Sequence, residues 1–224
     1  MKKVDWKHHF RYYDLFQMNR EAYIGTLNFH LTKLKKYHKI LDSGAGSGNL
    51  TLGLLKKGHK VSSIDFNKFA LKILRNKCKE YKNNLVVKFS DVQKIFFGMN
   101  SFDGVASMFV IPFVENNQKY LSEIYRVLKK KGKFSISAWA PVKDIHYGII
   151  ELQRRELESK GLLPRYKKEW KYAMESAKDA EKQVLKGNNL NILKKLLKET
   201  GFKKIKVFNK NPYGKYAYFI TCIK

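Results

Sequence analysis

Between residues 39 and 139 the chain alternates short apolar, β-branched runs with amphipathic helical segments, and this alternation constrains the fold most strongly. The candidate strands are Lys39–Asp42, Lys60–Asp65, Leu85–Phe89, Phe102–Met108 and Lys133–Trp139. The segments between them repeat apolar residues at close to the 3.6-residue period of a helix. Strands that alternate with helices in this way predict an α/β fold, with a parallel sheet covered by helices on both faces.

The pattern changes after Pro141. Residues 144 to about 186 are highly charged and predict helices, which we interpret as an insertion. An amphipathic helix ending at Gly201 then precedes two candidate strands, Ile205–Phe208 and Tyr216–Ile220. The turn residues between these strands, Asn211–Gly214, predict an antiparallel hairpin.

Domain size favours one folding unit, because 224 residues lie close to the upper end of the usual range of roughly 100–200 residues. The sequence thus predicts a single domain over residues 1–224, divided into an N-terminal helical lid (5–36), a core (38–140), a helical insertion (144–186) and a closing helix with a terminal hairpin (189–224).

A glycine-rich loop follows the first candidate strand, over Ile40–Asn49. Glycines between a strand and a helix let the backbone turn tightly and approach a ligand, and the helix start presents free N–H groups. A phosphate-binding P-loop requires GxxxxGK[ST], but Leu54 follows the only candidate. A dinucleotide fingerprint requires GxGxxG, but Asn49 and Thr51 occupy the third glycine position. The pattern that remains is DxGxGxG, in which Asp42 leads the loop and suits a cationic ligand better than a pyrophosphate.

The segment Ile40–Gly48 resembles the first motif of the class I S-adenosylmethionine (SAM)-dependent methyltransferases, hLDxGxGxG, in particular the small enzymes that include the quinone-biosynthesis C-methyltransferases. Asp65 ends the second strand, and Asp91 follows the third, where this family places acidic residues. The stretches Phe102–Met108 and Tyr120–Lys133 resemble the later "FD…L.E..RVLKPGG" pattern, although Lys130 and Lys131 stand where Pro and Gly are common.

The resemblance implies a doubly wound, mostly parallel seven-stranded sheet of order 3-2-1-4-5-7-6 whose last strand is antiparallel. It implies SAM as the cofactor, with Asp65 on the ribose hydroxyls, Phe66 over the adenine, and Asp91 with the Val92 N–H reading the adenine edge. The implied cofactor-binding residues are Asp42, Ser43, Gly44, Ala45, Gly46, Gly48, Asp65, Phe66, Asp91, Val92 and Met108.

The sequence indicates less about the methyl acceptor than about the cofactor. After the fourth strand the chain lacks the Asn/Asp-Pro-Pro-Tyr motif of DNA and protein-glutamine N-methyltransferases, which disfavours those substrates. Phe109, Phe113 and Trp139 near strand ends predict an apolar acceptor pocket, and Tyr12 and Tyr13 are candidates for closing over the cofactor. Two histidines in the expected lids are candidates for a general base, His9 and His146. The leading hypothesis is O-, N- or C-methylation of a small, partly apolar molecule.

The strongly basic balance leaves alternatives open. The chain has 46 Lys and Arg against 19 Asp and Glu, for a net charge of +27. Such a charge favours nucleic acid or an anionic surface as a partner, and hence an RNA methyltransferase. However, the lysines are spread along the chain and accompanied by many Asn, Ile, Tyr and Phe, a composition typical of AT-rich coding sequence. A third hypothesis is a non-catalytic SAM-binding subunit. The oligomeric state leaves no trace in the sequence.

Targeting and metal signals are not recognisable in the sequence. The first residues lack an apolar secretory region, and no apolar run reaches the roughly 18 residues of a membrane span. The two cysteines, Cys78 and Cys222, form neither a disulfide framework nor a zinc motif. We therefore expect a cytoplasmic protein without a bound metal.

Overall fold

A computed structural model describes residue 14 and residues 16–224, apart from the side chains of residues 146, 147, 168, 169, 172, 173 and 175–179. Seven strands form one sheet in the order β3-β2-β1-β4-β5-β7-β6, as predicted. The strands are β1 Lys39–Ser43, β2 Lys60–Asp65, β3 Leu85–Phe89, β4 Phe102–Met108, β5 Leu128–Trp139, β6 Lys203–Val207 and β7 Ala217–Ile223. Neighbours from β3 to β5 are parallel, whereas β7 is antiparallel to both β5 and β6.

Eight α-helices accompany the sheet in the described part of the chain. They are α1 Glu21–Leu34, α2 Asn49–Lys56, α3 Lys68–Lys77, α4 Asn117–Val127, α5 Ile145–Glu158, α6 Leu162–Arg165, α7 Lys167–Val184 and α8 Leu190–Thr200. Three of them begin at asparagines whose side-chain oxygens accept hydrogen bonds from first-turn N–H groups: Asn67, Asn116 and Asn189. Gly201 ends α8 with φ of +104°, a conformation that favours glycine.

The apolar core lies on both faces of the sheet. Leucines of α2 and α3 pack with α1 on one face, and residues of α4 and α8 pack on the other. A third cluster joins Phe109, Ile149 of α5 and Val184 of α7 to the last hairpin. The sequence of helices and strands thus forms a doubly wound α/β domain in which α5 and α7 adjoin the end of the sheet near Phe109.

Four strands are longer than the sequence predicts, β1 and β6 by one residue each and β5 and β7 by more. β5 begins at Leu128 rather than Lys133, because Leu128 pairs with Phe102 before an irregularity in the register. β7 extends to Ile223, which pairs with Lys133. The beginning of β5 contains lysines and is not an apolar run, so the sequence pattern does not predict it as a strand. None of the helices in the described part of the chain combines the length and apolar character that crossing a bilayer requires.

Candidate cofactor and acceptor site

A cavity of about 730 Å³ opens at the carboxyl ends of β1, β2 and β4, where open parallel sheets bind ligands. Its volume falls within the range of roughly 300–1,000 Å³ that small-molecule sites occupy. The glycine loop and the ends of β2 and β3 line one half. The other half is lined by residues after β4, by the end of β5, and by α5 and α7.

The glycine loop folds through three residues with positive φ: Gly44 (+76°), Gly46 (+53°) and Gly48 (+85°). The N–H groups of Gly44 and Ala45 both donate to the carbonyl of Ile64 at 2.9 Å, which ties the loop to β2. A Cβ on Gly44 would lie 2.4 Å from Val110 Cγ2. These conformations and contacts explain why the loop is built from glycine.

Asp42 is buried beneath the loop and lines the cavity. Its Oδ2 accepts a 2.6 Å hydrogen bond from the Thr51 hydroxyl, which lies 2.8 Å from Ser63 Oγ. Burial raises the pKa of Asp42 to about 7, against the opposing effect of the Thr51 hydrogen bond. A cationic group in the cavity would favour the ionised form, so Asp42 suits the ammonium end of a ligand.

Asp65 at the end of β2 also lines the cavity. Its Oδ2 accepts a hydrogen bond from the Gly46 N–H at 2.9 Å, and its Oδ1 accepts one from the Asn67 N–H at 2.8 Å. Burial raises the pKa of this carboxyl, although the hydrogen bond from Gly46 opposes the shift. The carboxylate is therefore held at the loop in a fixed orientation.

The end of β3 contributes an exposed carboxylate and a buried apolar side chain. Asp91 Oδ1 accepts a 2.8 Å hydrogen bond from the Gln93 N–H, and Val92 is buried beside it. Phe66, which follows Asp65, lines the cavity with 56% of its surface exposed. These three predicted residues lie together with Ala45, Gly46 and Met108 around the cavity.

Two predicted cofactor residues do not line the cavity. The Ser43 side chain points into the core, where its Oγ accepts a 3.2 Å hydrogen bond from the Tyr120 hydroxyl. Gly48 adjoins α3, since a Cβ there would lie 2.5 Å from Leu74 Cγ. Both residues belong to the packing that holds the loop in place, and their direct contact with a cofactor stays a prediction.

An aromatic wall, which we define as Phe109, Trp139 and Tyr213, stands at the other half of the cavity; Phe109 and Trp139 line the cavity, and the buried Tyr213 packs against both. The Phe109 and Trp139 rings are stacked, with centroids 4.0 Å apart and planes 10° apart, and Tyr213 makes edge contacts with both. Phe109 has φ of +59°, an unusual value for an aromatic residue, and its N–H donates to the Ser137 carbonyl at 2.8 Å. Phe109, Phe113 and Trp139 all line the cavity, as the sequence predicts.

Four other predicted residues have no described side chain. His9, Tyr12 and Tyr13 lie outside the described residues, and His146 lies in α5 without a described side chain. Conversely, sequence reasoning missed several cavity residues of the N-terminal segment, α5 and α7: Phe16, Gln17, Ile145, Ile149, Gln153, Trp170, Met174 and Val184. Helical periodicity identifies apolar faces in these segments but not the cavity they face.

The charge of the cavity contrasts with that of the whole chain. Its described lining contains five carboxyl groups, those of Asp42, Asp65, Asp91, Glu115 and Glu181. No lysine, arginine or histidine occurs among the described residues that line it, although the chain carries 46 Lys and Arg. This acidic lining fits a sulfonium- and ammonium-bearing nucleoside, and it is unfavourable to an anionic ligand.

A seven-stranded sheet of this order, with a glycine turn and carboxylates at the ends of its first three strands, defines the class I SAM-dependent methyltransferase fold. Residues 41–136 match the family model described as "Methyltransferase domain". Over that segment, which is less than half of the chain, the sequence is similar to the methyltransferase family.

Curated relatives with related sequences act in quinone biosynthesis. A demethylmenaquinone methyltransferase of Tropheryma whipplei is 33% identical over 98 residues, which cover 44% of this chain and 40% of that protein. A ubiquinone/menaquinone biosynthesis C-methyltransferase of Laribacter hongkongensis is 28% identical over 178 residues, which cover 76% and 69% of the two chains. The similarity to the first of these relatives therefore spans less than half of its length.

Solved structures share the fold across most of the chain. A SAM-dependent methyltransferase structure from Methanococcus maripaludis has a TM-score of 0.68 and 21% identity, covering 100% of this chain and 95% of that one. A Burkholderia thailandensis N-methyltransferase with bound S-adenosylhomocysteine has a TM-score of 0.59 and 16% identity, covering 89% and 76%. At these identities the likeness concerns the fold.

Proposed function

We propose that this protein transfers the methyl group of SAM to a small, partly apolar acceptor without net negative charge. The observation that carries the proposal is the division of one cavity into a carboxylate-bearing half at the glycine loop and an aromatic half at Phe109 and Trp139. The two halves are continuous, so a cofactor and an acceptor fit side by side.

The cofactor half recognises SAM through carboxylates and backbone N–H groups. Asp65 accepts hydrogen bonds from ribose hydroxyls, Asp91 and the Val92 N–H face the adenine edge, and Phe66 covers the ring. The Gly46 N–H, which lies in the cavity, orients Asp65. SAM supplies an already activated methyl group on a sulfonium, so the main task of the protein is to align the two reactants and exclude water.

The acceptor half offers flat apolar surfaces with a few polar groups at its border. Phe109, Phe113 and Trp139 face it together with Ile149 of α5 and Val184 of α7. The amides of Gln17 and Gln153 also line the cavity and can orient a hydroxyl or an amine. The relatives named for quinone biosynthesis make an aromatic hydroquinone one candidate acceptor.

Helices on both sides of the cavity support the division of the chain into a core and two lids. Phe16 of the N-terminal segment meets Trp170 of α7 edge-on, with ring centroids 5.7 Å apart, and both line the cavity. We therefore assign residues 5–36 and 144–186 as the lids of this single domain, with SAM held by residues 38–140.

An RNA acceptor receives less support than a small molecule. The observation in its favour is the net charge of +27, but no lysine or arginine is found among the described residues that line the cavity. Phosphate recognition depends on Lys and Arg, and the resulting affinity falls steeply with salt. Binding of bulk tRNA, measured across 50–300 mM NaCl, distinguishes this alternative. If RNA is the substrate, its affinity should fall steeply with salt, and the RNA should compete with the small acceptor for the cavity.

The experiment that tests the proposal compares acceptors matched in shape but not in charge. In the presence of S-adenosylhomocysteine, we expect the protein to bind 1-naphthol and to exclude 1-naphthyl phosphate. With tritiated SAM, we expect label in at least one member of a panel of neutral phenols, hydroquinones and aromatic amines. Binding of SAM without transfer to any of them would instead favour the non-catalytic SAM-binding alternative, and preference for the phosphate would contradict the proposal.

A further inference from the structure

Arg20 immediately precedes α1 and is almost completely buried, with 1% of its surface exposed. Its Nε lies 3.4 Å from Glu156 Oε2 of α5, and its Nη2 donates to the Tyr213 hydroxyl at 3.3 Å. Its Nη1 donates to the side chain of Gln17, which lines the cavity. A buried guanidinium requires such partners, because removing it from water is costly.

Glu156 connects the same group to the beginning of α1. Its Oε1 accepts a hydrogen bond from the Ala22 N–H at 3.3 Å, while its Oε2 faces Arg20. Ile149 and Gln153 of α5 line the cavity. Because residues three and four apart share a helix face, Ile149, Gln153 and Glu156 lie along one side of α5. The ion pair therefore fixes the cavity-facing side of that helix against α1.

Tyr213 connects the ion pair to the aromatic wall. The Arg20 guanidinium lies 5.7 Å from the centre of the Tyr213 ring, and this ring makes edge contacts with Trp139 at 4.8 Å and Phe109 at 5.6 Å. Tyr213 itself is buried, with 3% exposed. Tyr213 thus contacts Arg20 on one side and the stacked rings on the other.

We propose that Arg20 and Glu156 are positioning residues that set the geometry of the acceptor half of the cavity through Tyr213. They act on the aromatic wall and on the cavity side of α5, and they do not contact the reacting atoms. This inference rests on the proposed function for its catalytic consequence, but the placement of the wall can be tested without any acceptor.

The test uses three variants that largely retain side-chain size: Arg20→Met removes the guanidinium with its three polar contacts, Glu156→Gln removes the charge, and Tyr213→Phe removes the hydroxyl. Glu151→Gln is the matched control, because Glu151 forms an ion pair with Arg154 at 2.8 Å on the same helix but does not line the cavity. The double variant Arg20→Met/Glu156→Leu removes both charges together, which avoids leaving one of them buried and unpaired.

The first readout is the near-ultraviolet circular dichroism of Trp139, obtained by subtracting the spectrum of Trp139→Phe in each background. We expect this contribution to fall by about half or more in Arg20→Met, Glu156→Gln and the double variant, and to be unchanged in Glu151→Gln. A double variant that folds stably with an unaltered Trp139 signal would overturn the proposal, since the pair would then serve stability alone.

The second readout separates acceptor binding from cofactor binding. For the acceptor found in the labelled-SAM panel, we expect the double variant to raise KM about tenfold, while the Kd of S-adenosylhomocysteine changes less than twofold. Equal losses in both affinities would contradict a specific effect on the acceptor half. Failure of the wild-type protein to bind S-adenosylhomocysteine would refute the proposed function and leave the spectroscopic test intact.

Discussion

The Gly46 N–H donates a 2.9 Å hydrogen bond to Asp65 Oδ2, and this contact joins the glycine loop to the end of the neighbouring strand. A ligand that contacts Asp65 is therefore placed against the loop as well. Two residues that are 19 positions apart in the chain thus act as one recognition unit.

Replacing Gly46 by valine should abolish SAM binding. The residue has φ of +53° and lines the cavity, so a branched side chain would both strain the backbone and occupy cofactor space. The left-handed conformation alone should cost about 1–2 kcal/mol of unfolding free energy. Isothermal titration with SAM measures the binding loss.

The control for that substitution is Gly58→Val. Gly58 has φ of +84°, and a Cβ there would meet no atom within 4 Å, so the variant imposes backbone strain far from the loop. It should lose a similar amount of stability and bind SAM normally. Normal SAM affinity in Gly46→Val would show that the loop is not the cofactor site.

Replacing Asp65 by asparagine should weaken SAM binding by about 10–100-fold, because hydrogen bonds to an ionised group contribute roughly 1.5–3 kcal/mol. Asp103→Asn is the control, since Asp103 lies near the start of β4, where it pairs with Lys129 at 2.6 Å. The Kd of SAM for each variant at constant pH and salt provides the comparison. Equal affinities in the two variants would exclude Asp65 from cofactor recognition.

Asp42 should make the protein without cofactor less stable as the pH rises from about 4 to 7. Its folded-state pKa of about 7 exceeds the ordinary value of about 3.9, so the folded state binds more protons in that window. The unfolding free energy of the wild type, minus that of Asp42→Asn, should fall with pH by up to about 1.4 kcal/mol per unit and level off above pH 7. Urea titrations of the two proteins across this pH range measure the difference, and a difference that does not change with pH would contradict the prediction.

His30 should make the unfolding free energy depend on pH in the opposite direction. It is fully buried, with Nε2 3.0 Å from Ser137 Oγ and Nδ1 2.9 Å from Ser135 Oγ, and burial lowers its pKa to about 3. The unfolded state therefore binds more protons below pH 6.5, and stability falls by about 1.4 kcal/mol per unit as the pH decreases toward 3.

The measurement for His30 is the pH slope of the unfolding free energy in His30→Gln, compared with His38→Gln at an exposed histidine. His30→Gln should flatten the slope between pH 6.5 and 4.5. Identical slopes in the two variants would show that His30 does not remain neutral in the folded protein.

The cofactor half could be predicted from the sequence because its signals are local. Asp42, Asp65 and Asp91 each stand at the end of an apolar strand, and parallel strands bring their carboxyl ends to one edge. The structure places all three at the cavity. Ser43 and Gly48 lie in the same motif but do not line the cavity, since a motif fixes which residues form a loop but not which of them face a cavity.

The acceptor half could be predicted only in part. Phe109, Phe113 and Trp139 adjoin predicted strand ends, so they were identifiable. The Arg20–Glu156 pair and the Arg20–Tyr213 contact join residues 136 and 193 positions apart, and the two helical segments carry no motif that fixes their packing. Such contacts depend on the tertiary arrangement of α1, α5 and the loop before β7.

His30 also bears on how the chain reaches its native state. Its serine partners in β5 lie 105 and 107 residues further along the sequence, so α1 obtains its final contacts on the sheet only after a long stretch of chain has been ordered. Closing so large a loop is slow, as it is in other proteins of high contact order. The contacts of α1 with β5 should therefore form late in folding, after the apolar contacts of α1 with the neighbouring α2.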